Sequence, residues 1–151
     1  MNRSSAVTLA GCALYLTLAG CASQGTRRAP GEGGVTFDRG ATVISGPALE
    51  DGPGSVLAAL TGKVPNFRVN RNAYECPEIA LRNNVSYNGP VNPHIYVDGT
   101  RATDTCILES LRGSDVERVE VYPMGFTHRP GYGTHAHGLI LVFMRVTAPA
   151  P

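Results

Sequence analysis

Three histidines are the residues of this sequence whose type and spacing come nearest to a chemical site. His135-Ala136-His137 places two imidazoles one residue apart, and His128 lies seven residues earlier in the same Gly-rich stretch. On an extended backbone, alternate residues share a side, so three imidazoles from one loop make a conceivable set of metal ligands. Against that set, Phe126 to Gly138 contains no Asp, Glu or Cys to complete a coordination shell, and solvated loop histidines are the competing reading. No catalytic constellation stands beside them. GxSxG and HExxH are both missing, and Gly131-Tyr132-Gly133 lacks the Lys-Ser/Thr that a phosphate loop requires. Asp98, Glu117 and Glu120 are candidate acids and bases. Alternation of Arg118 and Glu120 against Val119 and Val121 puts Glu120 on a solvated face, and Asp98 belongs to an Asp-Gly turn. The expectation is a protein that is not an enzyme and needs no cofactor.

The four cysteines follow from the compartment. Residues 1–20 read as a signal peptide, with a polar, positive start at Asn2 to Ser5 and an apolar run from Ala6 to Leu18. Leu18-Ala19-Gly20-Cys21 resembles a bacterial lipobox, which implies cleavage before Cys21 and acylation of that cysteine. Leu9-Ala10-Gly11-Cys12 repeats the pattern but leaves only a stub of apolar run ahead of it. By the same resemblance, an Asp after the cysteine would favour inner-membrane retention, so Ala22 there implies the outer membrane, on its periplasmic face. Several acyl chains make such anchoring stable, each buried methylene contributing about 0.8 kcal/mol. Cys12 leaves with the signal and Cys21 carries lipid, so Cys76 and Cys106 remain. In an oxidising periplasm they form a disulfide, closing a loop of roughly 30 residues and stabilising the fold by about 3–4 kcal/mol.

The elements that must position these residues are short. Residues 21–40 are polar and Gly-rich and read as a flexible tether, and residues 147–151 as a disordered tail. Between them, residues 41–146 make one small domain. Ala41 to Ser45 is a possible strand, and Gly46 to Gly54, with its prolines and glycines, a loop. Ser55 opens a helix with Val56, Leu57 and Leu60 on one face and Gly62 at its end. Asn66 to Asn70 and Glu78 to Asn83 alternate as strands. His94 to Asp98 follows, with Ile95 and Val97 inward. Thr103 or Asp104 caps a helix over residues 105–112. Val116 to Tyr122 and Leu139 to Val146 are strands, the second apolar enough to be buried on both faces. The fold class is α+β, a small mixed sheet of four to five strands with two short helices. Thirteen basic and twelve acidic residues leave no basic stripe for nucleic acid.

Five segments in order carry a resemblance. GSVLAALTGKVPNFRVN, EIALRN with Arg82, IYVDG, ILESLRGSDVERVEVYP with Glu120, and GYGTHAHGLILVFMR resemble the plug domain of TonB-dependent outer-membrane receptors. The Pro123-Met124 step and the cysteine pair depart from the usual plug pattern. In such receptors the plug sits inside a 22-stranded barrel. With about 9–11 residues per strand, that barrel alone exceeds this chain. The resemblance implies a plug-like domain tethered by lipid, acting as a binding or accessory module for an outer-membrane barrel or another periplasmic protein. The alternative is a periplasmic small-ligand or metal-binding protein using the His128, His135 and His137 loop. Tyr74, Tyr87, Tyr96, Tyr122 and Tyr132, with Arg82, Arg101 and Arg129, are residue types suited to recognition.

Overall fold

Leu139 to Val142 are each no more than 1% exposed, and the sheet is assembled around them. The computed structural model describes residues 34–51, 54–71, 75–82 and 92–146. The signal peptide, Cys21, most of the tether, Tyr74, Tyr87 and the tail lie outside the described residues. In chain order the strands and helices are β1 (Val35–Asp38), β2 (Ala41–Ser45), α1 (Pro47–Glu50), α2 (Val56–Leu60), β3 (Arg68–Asn70), β4 (Glu78–Ala80), β5 (His94–Val97), β6 (Thr100–Arg101), α3 (Ile107–Ser110), β7 (Val116–Tyr122) and β8 (Leu139–Met144), with a 3-10 turn at Gly113–Asp115 ahead of β7. Six strands form a mixed sheet in the order β1-β2-β7-β8-β5-β6, and β3 and β4 pair separately. The class is α+β.

One sheet face carries the main core. Ile44, Val119, Val121, Ile140, Val142 and Ile95 pack there against Leu49, Leu57, Leu60 and Leu108 of the helices and Ile79 of β4. Full burial of a Leu, Ile or Val contributes about 1.5–3 kcal/mol, so this layer is the main source of stability. The opposite face holds Ala41, Tyr122, Leu139 and Leu141, with Val43, Tyr96, Tyr132 and Phe143 packed on them. The chain between β7 and β8 covers this face, supplying Tyr132, whose ring meets Tyr96 edge-on at 5.1 Å. That cover is why β8 is buried on both sides although its neighbour β7 is antiparallel.

Several expectations need correction. The tether does not run to Gly40, because Val35–Asp38 pairs with β2 through a two-residue hairpin, Asp38 opposite Ala41. Both turn residues have positive φ, Arg39 at 46° and Gly40 at 81°. Arg-Gly is not the Asn-Gly or Asp-Gly signature of such turns, so the hairpin left little trace in the sequence. The stretch taken for a loop after Gly46 contains the helical turn α1, started by Pro47 in the first helical position. The helix over residues 105–112 is only Ile107–Ser110. Leu111 is pulled into extended conformation, where its carbonyl accepts from Val56 N–H at 2.9 Å. The N-cap of this helix is Cys106, without a side-chain cap, rather than Thr103 or Asp104; Asp104 instead accepts from the Cys106 N–H at 3.0 Å just ahead of the helix. Ser55 caps α2 as expected, its hydroxyl accepting from Ala58 N–H at 3.3 Å.

Two close approaches fix the covering loop. His135 N–H donates to the Gly125 carbonyl at 2.8 Å, and Gly125 N–H donates to Tyr122 O at 3.0 Å. Gly125 has φ +74°, and a Cβ there would stand 1.6 Å from the His135 carbonyl oxygen. Gly138 has φ +104°, and a Cβ there would stand 2.5 Å from Leu81 Cδ1. Gly125→Ala is therefore expected to destabilise the domain by about 1–3 kcal/mol. It should also displace the His135 ring resonances, read by urea denaturation and NMR. An unchanged midpoint with unmoved rings would mean the loop is not held as described.

Candidate functional site

The parallel pairing of β5 with β8 builds the site. His94 stands opposite Leu139 in register, and its N–H donates to Gly138 O at 3.0 Å. A strand forty residues away in sequence thus lies against the end of the Gly-rich loop. The His94 and His135 rings stack with centroids 3.5 Å apart, and His137 meets His135 edge-on at 5.3 Å. From β6, Arg101 donates through its Nη2 to His94 Nε2 at 2.7 Å. A guanidinium only donates, so His94 Nε2 accepts and the ring is the neutral Nδ1–H tautomer.

His135 and His137 are therefore together as expected, but His128 is not with them. It lines a different recess, beside Asp38, Arg39, Glu120 and Arg129. His94 takes its place. The sequence could place His94 on a strand face, but not beside the loop, because nothing local specifies which strand β5 joins.

The imidazole cluster forms one wall of a cleft of about 430 Å³. Arg101 stands on the same side. Glu75, Glu78 and Asp104 line the cleft too, as does Cys76 of the Cys76–Cys106 disulfide. The disulfide joins the segment before β4 to the segment before α3, with a Cα–Cα distance of 4.8 Å. Thr105, buried, reinforces the join by donating its hydroxyl to Pro77 O at 2.5 Å.

As a metal centre the histidine cluster is poor. Among the described residues, the grouping compact enough for a metal is Cys76, Asp104 and Cys106, with ligand atoms within 4.8 Å of one another. Both sulfurs of that grouping are consumed by the disulfide. His94 Nε2 is already occupied by a cation. Burial, the neighbouring His135 and Arg101 together hold the His94 pKa below its ordinary 6.5. Burial and His137 do the same to His135, against a weaker upward pull from the Gly138 backbone.

A second polar assembly stands on the same sheet face. Glu120 is 3% exposed, which corrects the expectation that it faces solvent. Alternation did put it on the face opposite Val119 and Val121, but the covering loop closes that face. Arg129, from the loop, donates through Nε to Glu120 Oε2 at 2.6 Å, Arg118 Nε donates to Oε1 at 3.1 Å, and Tyr122 OH donates to Oε2 at 2.9 Å. Phe143 lies beneath both guanidiniums, 4.1 Å from Arg118 and 5.1 Å from Arg129. Burial pushes the Glu120 carboxyl up, but the hydrogen bonds from Arg129, Tyr122 and Arg118 outweigh it and hold the group below 4.5. Arg129 thereby fastens the loop to β7, while its guanidinium, 42% exposed, still lines the adjoining recess.

Arg82 lines a third, more apolar groove of about 480 Å³ with Phe37, Ala41, Pro65, Leu81 and Met124. Phe37 is 73% exposed and Met124 54%.

No protein-family model matches the chain, and no curated protein matches it. Solved structures do, among them two of a peptide importer. One is the RagAB peptide importer in its "closed-closed" state, at TM-score 0.56 and 18% identity over 74% of this chain. The other is described as the RagAB peptide transporter, at TM-score 0.52 and 17% identity over 74% of this chain. In both cases the match spans 13% of the other chain's length. At this identity the likeness is one of fold. This chain shares its architecture with one segment of a much longer importer component.

The charge placements give the domain two acid-sensitive steps. His94 and His135 bind protons less readily folded than unfolded, so stability falls as pH drops through 6.5 and continues to fall until their lowered folded pKa values are passed. Glu120 has its pKa lowered on folding. Its contribution is complete above 4.5 and disappears as pH falls through its folded value. His94→Gln is expected to remove part of the upper step. Glu120→Gln should remove the lower one and cost about 1–3 kcal/mol at neutral pH. Urea midpoints measured from pH 8 to pH 3 check both; parallel curves for wild type and either variant would refute the corresponding assignment.

Proposed function

We propose that this protein is a non-enzymatic lipoprotein of the outer membrane. It is anchored through Cys21 on the periplasmic face, and its plug-like domain serves as a binding or accessory module for an outer-membrane β-barrel protein. The observation that carries the reading is the fold likeness to a segment of a peptide importer, on a sequence that begins with a signal and lipobox pattern. Near-neutral charge speaks against a nucleic-acid partner. The lack of a recognisable catalytic motif in the sequence favours binding over catalysis.

The docking face that suits a barrel partner is the β1 border of the sheet. β1 ends the six-stranded order, so among the described residues one side of its backbone has no neighbouring strand in the sheet. Its Phe37 stands out over the apolar groove next to Met124. An unpaired edge beside exposed apolar side chains suits strand addition with a side-chain anchor. The metal-binding alternative draws no support from His128, which is parted from the other two histidines.

Two arms test the proposal. Cys21→Ser should move the protein from the membrane fraction to the soluble periplasmic fraction. Phe37→Glu should lower recovery of a cross-linked integral barrel protein by about tenfold or more, as for loss of an interface anchor. A Cys21→Ser protein that stays in the membrane removes the anchor. A lipidated wild type recovered only as monomer, with no barrel protein attached, removes the accessory role.

A further inference from the structure

The cleft between β4, β5 and β6 holds opposite charges apart. Arg101 is one cation on its wall, and Glu75, Glu78 and Asp104 are three anions on it. Ordinary surface side chains of opposite sign pair when they can reach one another. Here, among the described residues, Arg101 forms no ion pair with any of the three.

Each end is tied elsewhere. Arg101 donates to His94 Nε2 at 2.7 Å. Asp104 accepts from Cys106 N–H at 3.0 Å and from the Thr103 hydroxyl at 3.2 Å. Glu78 accepts from Asn70 Nδ2 at 3.3 Å. Glu75 is fixed in sequence next to Cys76, whose disulfide to Cys106 anchors the acidic end. The cationic end is built from β5, β6 and the loop, and the acidic end from the chain around the disulfide. The space between is about 430 Å³, within the range of small-ligand sites.

A second observation lies at the cationic end. His135 Nδ1 is sealed from solvent and has no hydrogen-bond partner among the described residues. Such a nitrogen is costly, but being sealed it lies behind the cleft surface, and it is the exposed edges of the rings that face the cleft.

We infer that this cleft binds a small zwitterion bearing a free amine and a free carboxylate, such as an amino acid or short peptide. The carboxylate lies toward Arg101 and the histidines, and the amine toward Glu75, Glu78 and Asp104. A simple anion meets three carboxylates, and a simple cation meets Arg101 and the imidazoles. Only a ligand carrying both charges satisfies both ends. His94 and His135 contribute a stacked ring surface to that end of the cleft. The site is separate from the β1 border, so it does not rest on the barrel partner proposed above.

The test uses the full lipidated chain in detergent, with triglycine as probe, followed by calorimetry and by the ring resonances of His94, His135 and His137. Saturable binding with shifts at these rings is expected. N-acetylated triglycine and triglycine amide should each bind about tenfold or more weakly, as for loss of one charge-assisted contact. Arg101→Gln and Glu75→Gln, both at exposed positions, should weaken triglycine similarly while leaving the urea midpoint unchanged. Binding by the blocked peptides equal to that of triglycine would overturn the zwitterion assignment, as would acetate binding equally well. No saturable binding would overturn the site altogether. Loss of barrel-protein capture with triglycine binding intact would bear on the partner alone.

Discussion

The burial of β8 on both faces is the constraint on which the rest depends. A strand of Leu139, Ile140, Leu141 and Val142 leaves no side for water, so each face of the sheet has to be covered. The helices and the β3–β4 pair cover one face. On the other, among the described residues, no helix packs, and the chain from Pro123 to Gly138 folds back over it. That requirement explains the loop's glycines at Gly125 and Gly138, where any side chain would strike the neighbouring backbone or Leu81. It also explains why Glu120 is buried, since the same cover lies over its end of β7.

Burying a carboxylate in this way is unfavourable unless its oxygens are fully engaged. Arg129 supplies the decisive contact from the loop itself, while Arg118 and Tyr122 come from the strand that carries Glu120. The ion pair therefore fastens the cover to the sheet, and Phe143 supports both guanidiniums from below. Loop closure then has a second consequence at its far end. His135 is brought onto His94, and the histidine wall of the cleft forms. The two polar assemblies are thus coupled through one segment of chain, one spent on stability and the other left open.

A small domain with helices of four or five residues needs other ways to hold its periphery. The disulfide does this by joining the segment before β4 to the segment before α3, whose Ile79 and Leu108 share the main core. Its position in the cleft wall links fold and function, because the charged side chains on either side of it are held by the covalent join. The β1 edge, in contrast, pairs with no further strand among the described residues, and Phe37 is exposed over an apolar groove. The molecule accordingly presents two unlike surfaces, a polar cleft suited to a small charged ligand and an apolar edge suited to a protein.

The sequence by itself determined the strands whose periodicity is strong: β7 by its alternation, β8 by its unbroken apolar run, and β5 by the Ile95 and Val97 pair. It also determined the cap at Ser55 and the segments whose order resembles a receptor plug. These are local properties, set by side chains within a few positions of one another. Tertiary structure alone decided the rest. The Arg39-Gly40 hairpin has a weak turn signature, so β1 became visible only through its pairing with β2. Glu120 changed from a solvated to a buried group because a distant loop closes over it. His94 replaced His128 because parallel pairing, which has no local signal, places β5 beside β8. Alternation tells which side of a strand a residue takes, but what covers that side depends on contacts between residues far apart in the chain.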